Sequence, residues 1–202
     1  MKKLNLKSRS LRIDGKQIFL RPLLLKEADE FFHLIQVSRR ELGRWLPWVK
    51  GTTKTAHTKK FLKEGLKNQR RGEVLALGIF LKSSSKIIGC VGARHLQTGV
   101  PEIGYWMGTP FTGNGYSCEA STIFADALFN NLPIHKIEIR CEPRNFKSRA
   151  IPERLGFQEE GHLRHTTCAY CGVYKDLIVY GVLKPEWKSL RKRLLSKYSH
   201  PR

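Results

Sequence analysis

Between Glu102 and Asn130 the apolar period of the chain changes from two to 3.6, and that change fixes the kind of fold the chain can join. Glu102 to Met107 alternates, with Ile103, Tyr105 and Met107 on one face and Glu102, Gly104 and Trp106 on the other, as a strand does. Gly108 to Gly115 reads as a loop. From Tyr116 to Asn130, Ala120, Ile123, Phe124, Ala127 and Leu128 recur at helical spacing. His135 to Cys141 alternates again, with Ile137, Ile139 and Cys141 together. A strand–helix–strand unit of this kind needs a sheet with a helix lying across it.

The flanking segments extend that sheet. Gln17 to Leu25 reads as a first strand, Lys26 to Val37 as a helix, and Ser38 to Trp45 as a short helix closed by Pro47. Thr55 to Arg71 is an amphipathic helix with Phe61, Leu62 and Leu66 inward, stopped by Gly72. Val74–Leu81 and Lys86–Arg94 form a hairpin around Ser83-Ser84-Ser85, and Glu102–Met107 completes a meander. Beyond Cys141 come a short helix from Ser148 to Leu155 ended by Gly156, strands at Gln158–Thr166 and Asp176–Leu183, and a tail from Glu186 that is a basic helix or a frayed end. The fold class is therefore α/β, with a mixed, mostly antiparallel central sheet of about seven strands and helices on both faces.

The 202 residues suffice for one core, and 41% hydrophobic with 27% charged residues is the balance of a soluble globular chain. No run of about 18 apolar residues suggests a membrane span. The start, MKKLNLKSRSLR, is basic but lacks an apolar run after it, so no secretory signal is read and a cytoplasmic location is expected. Residues 1–16 read as a basic extension, 17–187 as one domain and 188–202 as a basic tail. Among the five cysteines, Cys168 and Cys171 form a C-x-x-C with no second ligand pair, so small residues at a turn are the simpler reading and no metal is expected. Net charge is +20, from 37 basic and 17 acidic residues. It fits a generally basic proteome, proximity to ribosomal RNA, or attraction of an anionic cofactor.

The loop Thr112-Gly113-Asn114-Gly115-Tyr116-Ser117 carries the chemistry. Glycines let backbone N–H groups approach a ligand, and a helix start adds unpaired donors and partial positive charge, which together suit a pyrophosphate. A plain tight turn would give the same letters. The absence of G-x-G-x-x-G and of G-K-[ST] argues against dinucleotide-fold and P-loop readings.

Gly113 to Ala120 resembles the acetyl-CoA loop of the GNAT superfamily, R/Q-x-x-G-x-G/A. Leu20-Arg21-Pro22-Leu23 with Ala28-Asp29, Asn145 to Phe157 followed by Glu160-Gly161, and Asp176-Leu177 to Trp187 resemble further blocks of the RimJ/RimL-like ribosomal-protein N-acetyltransferases, in order. The resemblance implies a three-layer α-β-α fold and acetyl-CoA as cosubstrate, with direct attack of an amine on the thioester and no acyl-enzyme. It implies backbone donors to the pyrophosphate at Gly113, Gly115, Tyr116 and Ser117. Trp106 and Met107 would pair with the pantetheine arm, and Asn145 would bond the arm from the other side. The chain departs from the pattern at Thr112, where Arg or Gln is usual, and at Ser117, where Gly or Ala is. At Pro152 many members carry a tyrosine thought to protonate the leaving thiolate. Ser148 stands in as proton donor to sulfur, or caps the helix Arg149–Leu155, and both can hold.

Glu102 is a candidate base, acting directly or through a water, or an exposed strand carboxylate. Glu119 reads as structural. His165 substitutes by chemistry for an acid missing from Leu163–Cys168, or is structural. Trp45 and Trp48 flank the region where this family builds its substrate cleft, and Trp45 also reads as core. The implied acceptor is a protein N-terminal α-amine, of ribosomal type. A small-molecule amine, and a non-catalytic CoA- or RNA-binding module, are the alternatives. A monomer and a homodimer both fit the subgroup.

Overall fold

The computed structural model describes residues 4–167 and 174–198, which form an eight-stranded sheet in the order β1-β2-β3-β4-β5-β6-β8-β7. The strands are β1 (Ile13–Asp14), β2 (Ile18–Arg21), β3 (Leu75–Leu81), β4 (Ile87–Arg94), β5 (Glu102–Met107), β6 (Lys136–Cys141), β7 (Gln158–Thr167) and β8 (Tyr174–Leu183). The helices are α1 (Ala28–Val37), α2 (Arg39–Trp45), α3 (Trp48–Gly51), α4 (Thr55–Arg71), α5 (Tyr116–Asn131), α6 (Phe146–Leu155) and α7 (Lys184–Tyr198). β5 and β6 are parallel and joined through α5; the other neighbouring pairs are antiparallel.

Two cores lie on opposite faces of the sheet. On one, α5, α6 and α7 pack against Leu77, Ile79, Val91, Ile103, Ile139 and Tyr180. Every residue of α5 from Cys118 to Phe129 is buried, so this helix is enclosed on all sides rather than along one stripe. On the other, α1 and α4 cover Phe19, Phe80, Ile87 and Cys90.

Local chemistry sets the boundaries. The first strand ends at Arg21 rather than running to Leu25, because Pro22 has no N–H to offer a ladder. The chain then turns, with the Glu27 carboxylate accepting from Leu24 N–H at 2.7 Å and paired with Arg21. Gly72 at φ +72° and Gly156 at φ +81° end α4 and α6 in the left-handed region. Of the α4 residues expected inward, Leu62 is buried, but Phe61 is 47% exposed and lies at the rim beside Phe31.

Residues before 17 and after 187 carry core side chains. Leu6, Leu11 and Ile13 are buried, as is Leu194 of α7, and Lys16 N–H donates to Tyr198 O at 2.9 Å. α6 begins at Phe146, not at Ser148. Asn145 is its cap, because the Asn145 side-chain oxygen reaches Ser148 N–H at 3.2 Å, which places Ser148 in the first turn and takes the capping role from it.

Candidate active site

β5 and β6 pair over only two positions, Glu102 with Glu138 and Ile103 with Ile139. Beyond Ile103 the pairing stops, although β5 runs on to Met107 and β6 to Cys141. The sheet therefore splits at the C-terminal ends of its parallel pair. This leaves backbone groups of Gly104 to Met107 without a partner strand on that side. A Cβ at Gly104 would meet nothing within 4 Å.

The chain leaving β5 builds the second part of the site. Gly108 N–H returns to Ile88 O at 2.8 Å, and Ser38 Oγ accepts from Thr109 N–H at 2.9 Å. Gly113 (φ +87°) and Gly115 (φ +78°) both lie in the left-handed region, and nothing lies within 4 Å of a Cβ built on either. Asn114 braces the turn through Nδ2 to the Phe111 and Thr112 carbonyls. Gly115 is the cap of α5, with no side-chain capping bond. The first N–H groups of a helix have no partner within it, so α5 presents donors and its positive dipole end to the open side of the loop. The residues present thus fit a pyrophosphate, bound by backbone rather than by side chains.

Glu119 faces the other way. It is buried, and its Oε1 accepts from Gln17 N–H at 2.8 Å and Ile18 N–H at 3.2 Å, tying α5 to β2. A Cβ at Gly15 would sit 2.3 Å from that oxygen, so a larger residue there would displace the Glu119 carboxylate.

Three side chains meet at the split. Ser148 Oγ lies 3.2 Å from Cys141 Sγ and 3.5 Å from Tyr105 Oη. Tyr105 Oη donates to the Ser148 carbonyl at 2.8 Å. Pro152 explains that bond. It stands four residues on, has no N–H, and so leaves the Ser148 carbonyl without its helical donor. Burial pushes the Tyr105 phenol well above its usual range, and burial likewise raises the Cys141 thiol, so both stay neutral at ordinary pH.

On the α1 face, Trp106 packs 5.2 Å from Phe31 and 6.0 Å from Trp48 (ring centroids), an aromatic row beside the end of β5. Glu102 sits at the other end of the strand. Its two oxygens accept from Arg94 Nη2 at 2.8 and 2.9 Å, and Arg140 Nε is 3.6 Å away. Glu138 lies between Lys136 and Arg140, and the bonds from Arg140 and Lys136 outweigh the effect of burial and hold its carboxyl below its usual range.

Residues 17–158 match the acetyltransferase (GNAT) domain family. The chain belongs to the GNAT family. Its activity is acetyl transfer, with acetyl-CoA as cosubstrate. YdaF of Bacillus subtilis (strain 168), named as a candidate ribosomal N-acetyltransferase, is 28% identical over 86% of this chain and 95% of its own. The microcin C7 self-immunity acetyltransferase MccE, solved with acetyl-CoA and AMP, superposes with a TM-score of 0.77 at 26% identity, covering 83% of this chain and 93% of that one. RimJ of Mycobacterium smegmatis, solved with a CoA disulfide, shares the fold with a TM-score of 0.85 at 21% identity, over 95% and 97%.

Against that family background, the structure brings Trp106, Met107, Gly113, Gly115, Tyr116, Ser117 and Ser148 around the split and the α5 start. It places Trp48 beside Trp106 and leaves Trp45 half-buried, with no ring contact to that row. Asn145 sits at the same mouth, but its side-chain oxygen is occupied by the α6 cap. His165 N–H donates to Asp176 Oδ1, and His162 Nε2 lies 3.1 Å from Asp176 Oδ2, at the irregular stretch of the β7–β8 ladder. Cys168 and Cys171 lie outside the described residues. No group of three or more metal-ligating side chains occurs among the described residues, and no helix there is long and apolar enough to cross a membrane. Sequence reasoning put Tyr105 on one face of its strand with Ile103 and Met107 and gave it no role. The signal available was Pro152 four residues after Ser148, which announces an unpaired carbonyl.

Proposed function

We propose that this enzyme acetylates the α-amine of protein N-termini, with ribosomal proteins as the substrate class. The observation that carries the acetyl-CoA half is the split between β5 and β6 opening onto an uncapped helix start with left-handed glycines. The acceptor half is supported by the likeness to YdaF and by the charge of the surface. α4 exposes Lys59, Lys60, Lys63, Lys67, Arg70 and Arg71 to solvent, which favours approach to a ribosome.

In this reading the amides of Gly113, Gly115, Tyr116 and Ser117 hold the pyrophosphate. The free edge of Trp106 and Met107 pairs with the pantetheine arm as an added strand, and Asn145 lines the far side of the arm. The acceptor nitrogen attacks the thioester carbonyl carbon, the C–S bond breaks, and the electron pair leaves on sulfur. Positioning supplies most of the acceleration. Ser148 Oγ–H faces the departing sulfur and stabilises the thiolate. Glu102, whose carboxylate is held by Arg94 and Arg140, is assigned as the base that takes the amine proton through a water. Trp48 and Trp45 border the acceptor side.

Mass spectrometry of protein N-termini tests the acceptor. Cells lacking the enzyme, compared with cells restored by wild type and by Ser148→Ala, should lose acetylation at a small set of N-termini that only wild type returns in full. An unchanged N-terminal acetylome, with purified enzyme acetylating small amines instead, would refute the acceptor assignment.

A further inference from the structure

We infer that Tyr105 is a positioning residue for acyl transfer, holding the Ser148 hydroxyl at the split between β5 and β6 through the carbonyl that Pro152 leaves free. The inference rests on the proposed role of Ser148 at the leaving sulfur.

The geometry has three parts. Tyr105 stands two residues past Ile103, where β5 has already parted from β6, and its hydroxyl crosses to α6. Pro152 removes the helical donor to Ser148, so the first turn of α6 would lack one bond just where the reacting sulfur is to be met. The phenol supplies that bond from outside the helix, at 2.8 Å. The Asn145 cap holds the same turn from the N–H side of Ser148, so this one residue is gripped at both its N–H and its C=O.

The chemistry follows from proton count. Tyr105 has one hydroxyl hydrogen, and it goes to the Ser148 carbonyl. Among the described residues, Ser148 Oγ–H then has the phenol oxygen at 3.5 Å and Cys141 Sγ at 3.2 Å as hydrogen-bond partners, both weak. When the C–S bond of the thioester breaks, a thiolate is the one strong acceptor in reach, and the serine hydrogen turns to it. Tyr105 gives up no proton in this step. Burial keeps the phenol neutral, and its work is to fix where Ser148 points.

The test needs no acceptor. CoA itself is the probe, and the ultraviolet absorbance of its thiolate is titrated with pH in the complex, as a difference from the free protein. Wild type should hold the bound thiol below the value of free CoA. Ser148→Ala and Tyr105→Phe should each raise the midpoint by about one pH unit, a tenfold loss of thiolate stabilisation, and the double variant should go no further than Ser148→Ala alone. Calorimetry should show CoA affinity unchanged within about threefold for Tyr105→Phe, about 0.65 kcal/mol by RT ln 3. A raised midpoint in Ser148→Ala with none in Tyr105→Phe would overturn the Tyr105 assignment alone. No change in Ser148→Ala would remove the role of Ser148 and that of Tyr105 with it. Additive shifts in the double variant, or loss of CoA affinity in Tyr105→Phe, would place the phenol in general packing or binding and overturn the inference.

Discussion

Asp126→Ala should lower the melting temperature by about 7 °C without changing acetyl-CoA affinity at low temperature. Asp126, on α5, accepts from Trp187 Nε1 at 3.1 Å, from Arg191 Nε at 2.7 Å and Nη2 at 3.0 Å, and from Asn130 Nδ2 at 2.9 Å. It is the polar clamp that fastens α7 to the central helix. Trp187 is 1% exposed, so removing the acceptor strands an indole N–H, which costs about 1–3 kcal/mol. The Arg191 side chain is 32% exposed, so water takes over its charge and its share is below about 1 kcal/mol. The sum is about 3 kcal/mol. A chain of 202 residues unfolds with an entropy of about 0.4 kcal/mol/K, which converts that loss to the stated drop. Differential scanning calorimetry reads it directly. Arg191→Ala serves as comparison and should cost only about 2 °C. A fall below about 2 °C for Asp126→Ala, or equal falls for the two variants, would refute the view that the buried indole is the expensive partner.

Gly89→Ala should damage both stability and cofactor binding. Its new Cβ would lie 2.4 Å from Trp106 O and 3.2 Å from Met107 Cα, so the end of β5 must move, at a cost of about 1–3 kcal/mol. Urea unfolding with acetyl-CoA calorimetry checks both effects, and wild-type values for either would contradict the contact. Stability should fall in acid. Glu138 has a folded pKa below its ordinary 4.5, so its contribution is present above that pH and is lost as pH drops through the lower folded value. Glu138→Gln should flatten this part of the stability–pH curve, and an unchanged slope would show that the pair contributes nothing there.

Much of the architecture was legible because period and punctuation agreed. The alternation of Glu102–Met107 and the helical spacing after Tyr116 placed β5 and α5, and Gly72 and Gly156 stopped their helices by adopting positive φ. The phosphate loop was legible from its glycines, since the backbone there makes the site. Other parts depended on tertiary contact. Leu6 and Leu11 look like members of a charged extension until α4 supplies Gln69 Nε2 to the Leu6 carbonyl at 2.8 Å. Asn145 took the cap from Ser148 because its side chain reaches the Ser148 N–H in the first turn, a choice that spacing alone leaves open. Glu102 read as a candidate base or an exposed strand carboxylate, and its ion pair was not legible, because Arg94, eight residues away, comes opposite it only when β4 and β5 pair.

The most direct test of the acetyl-CoA site is calorimetric titration of the wild-type enzyme with acetyl-CoA beside Gly115→Asp. The substituted residue would place a carboxylate at the α5 cap, where φ is +78°, and circular dichroism confirms that the variant is folded. Micromolar binding by wild type that vanishes in folded Gly115→Asp is the expected result. No binding by wild type, or equal binding by both proteins, would contradict the placement of the pyrophosphate on the start of α5.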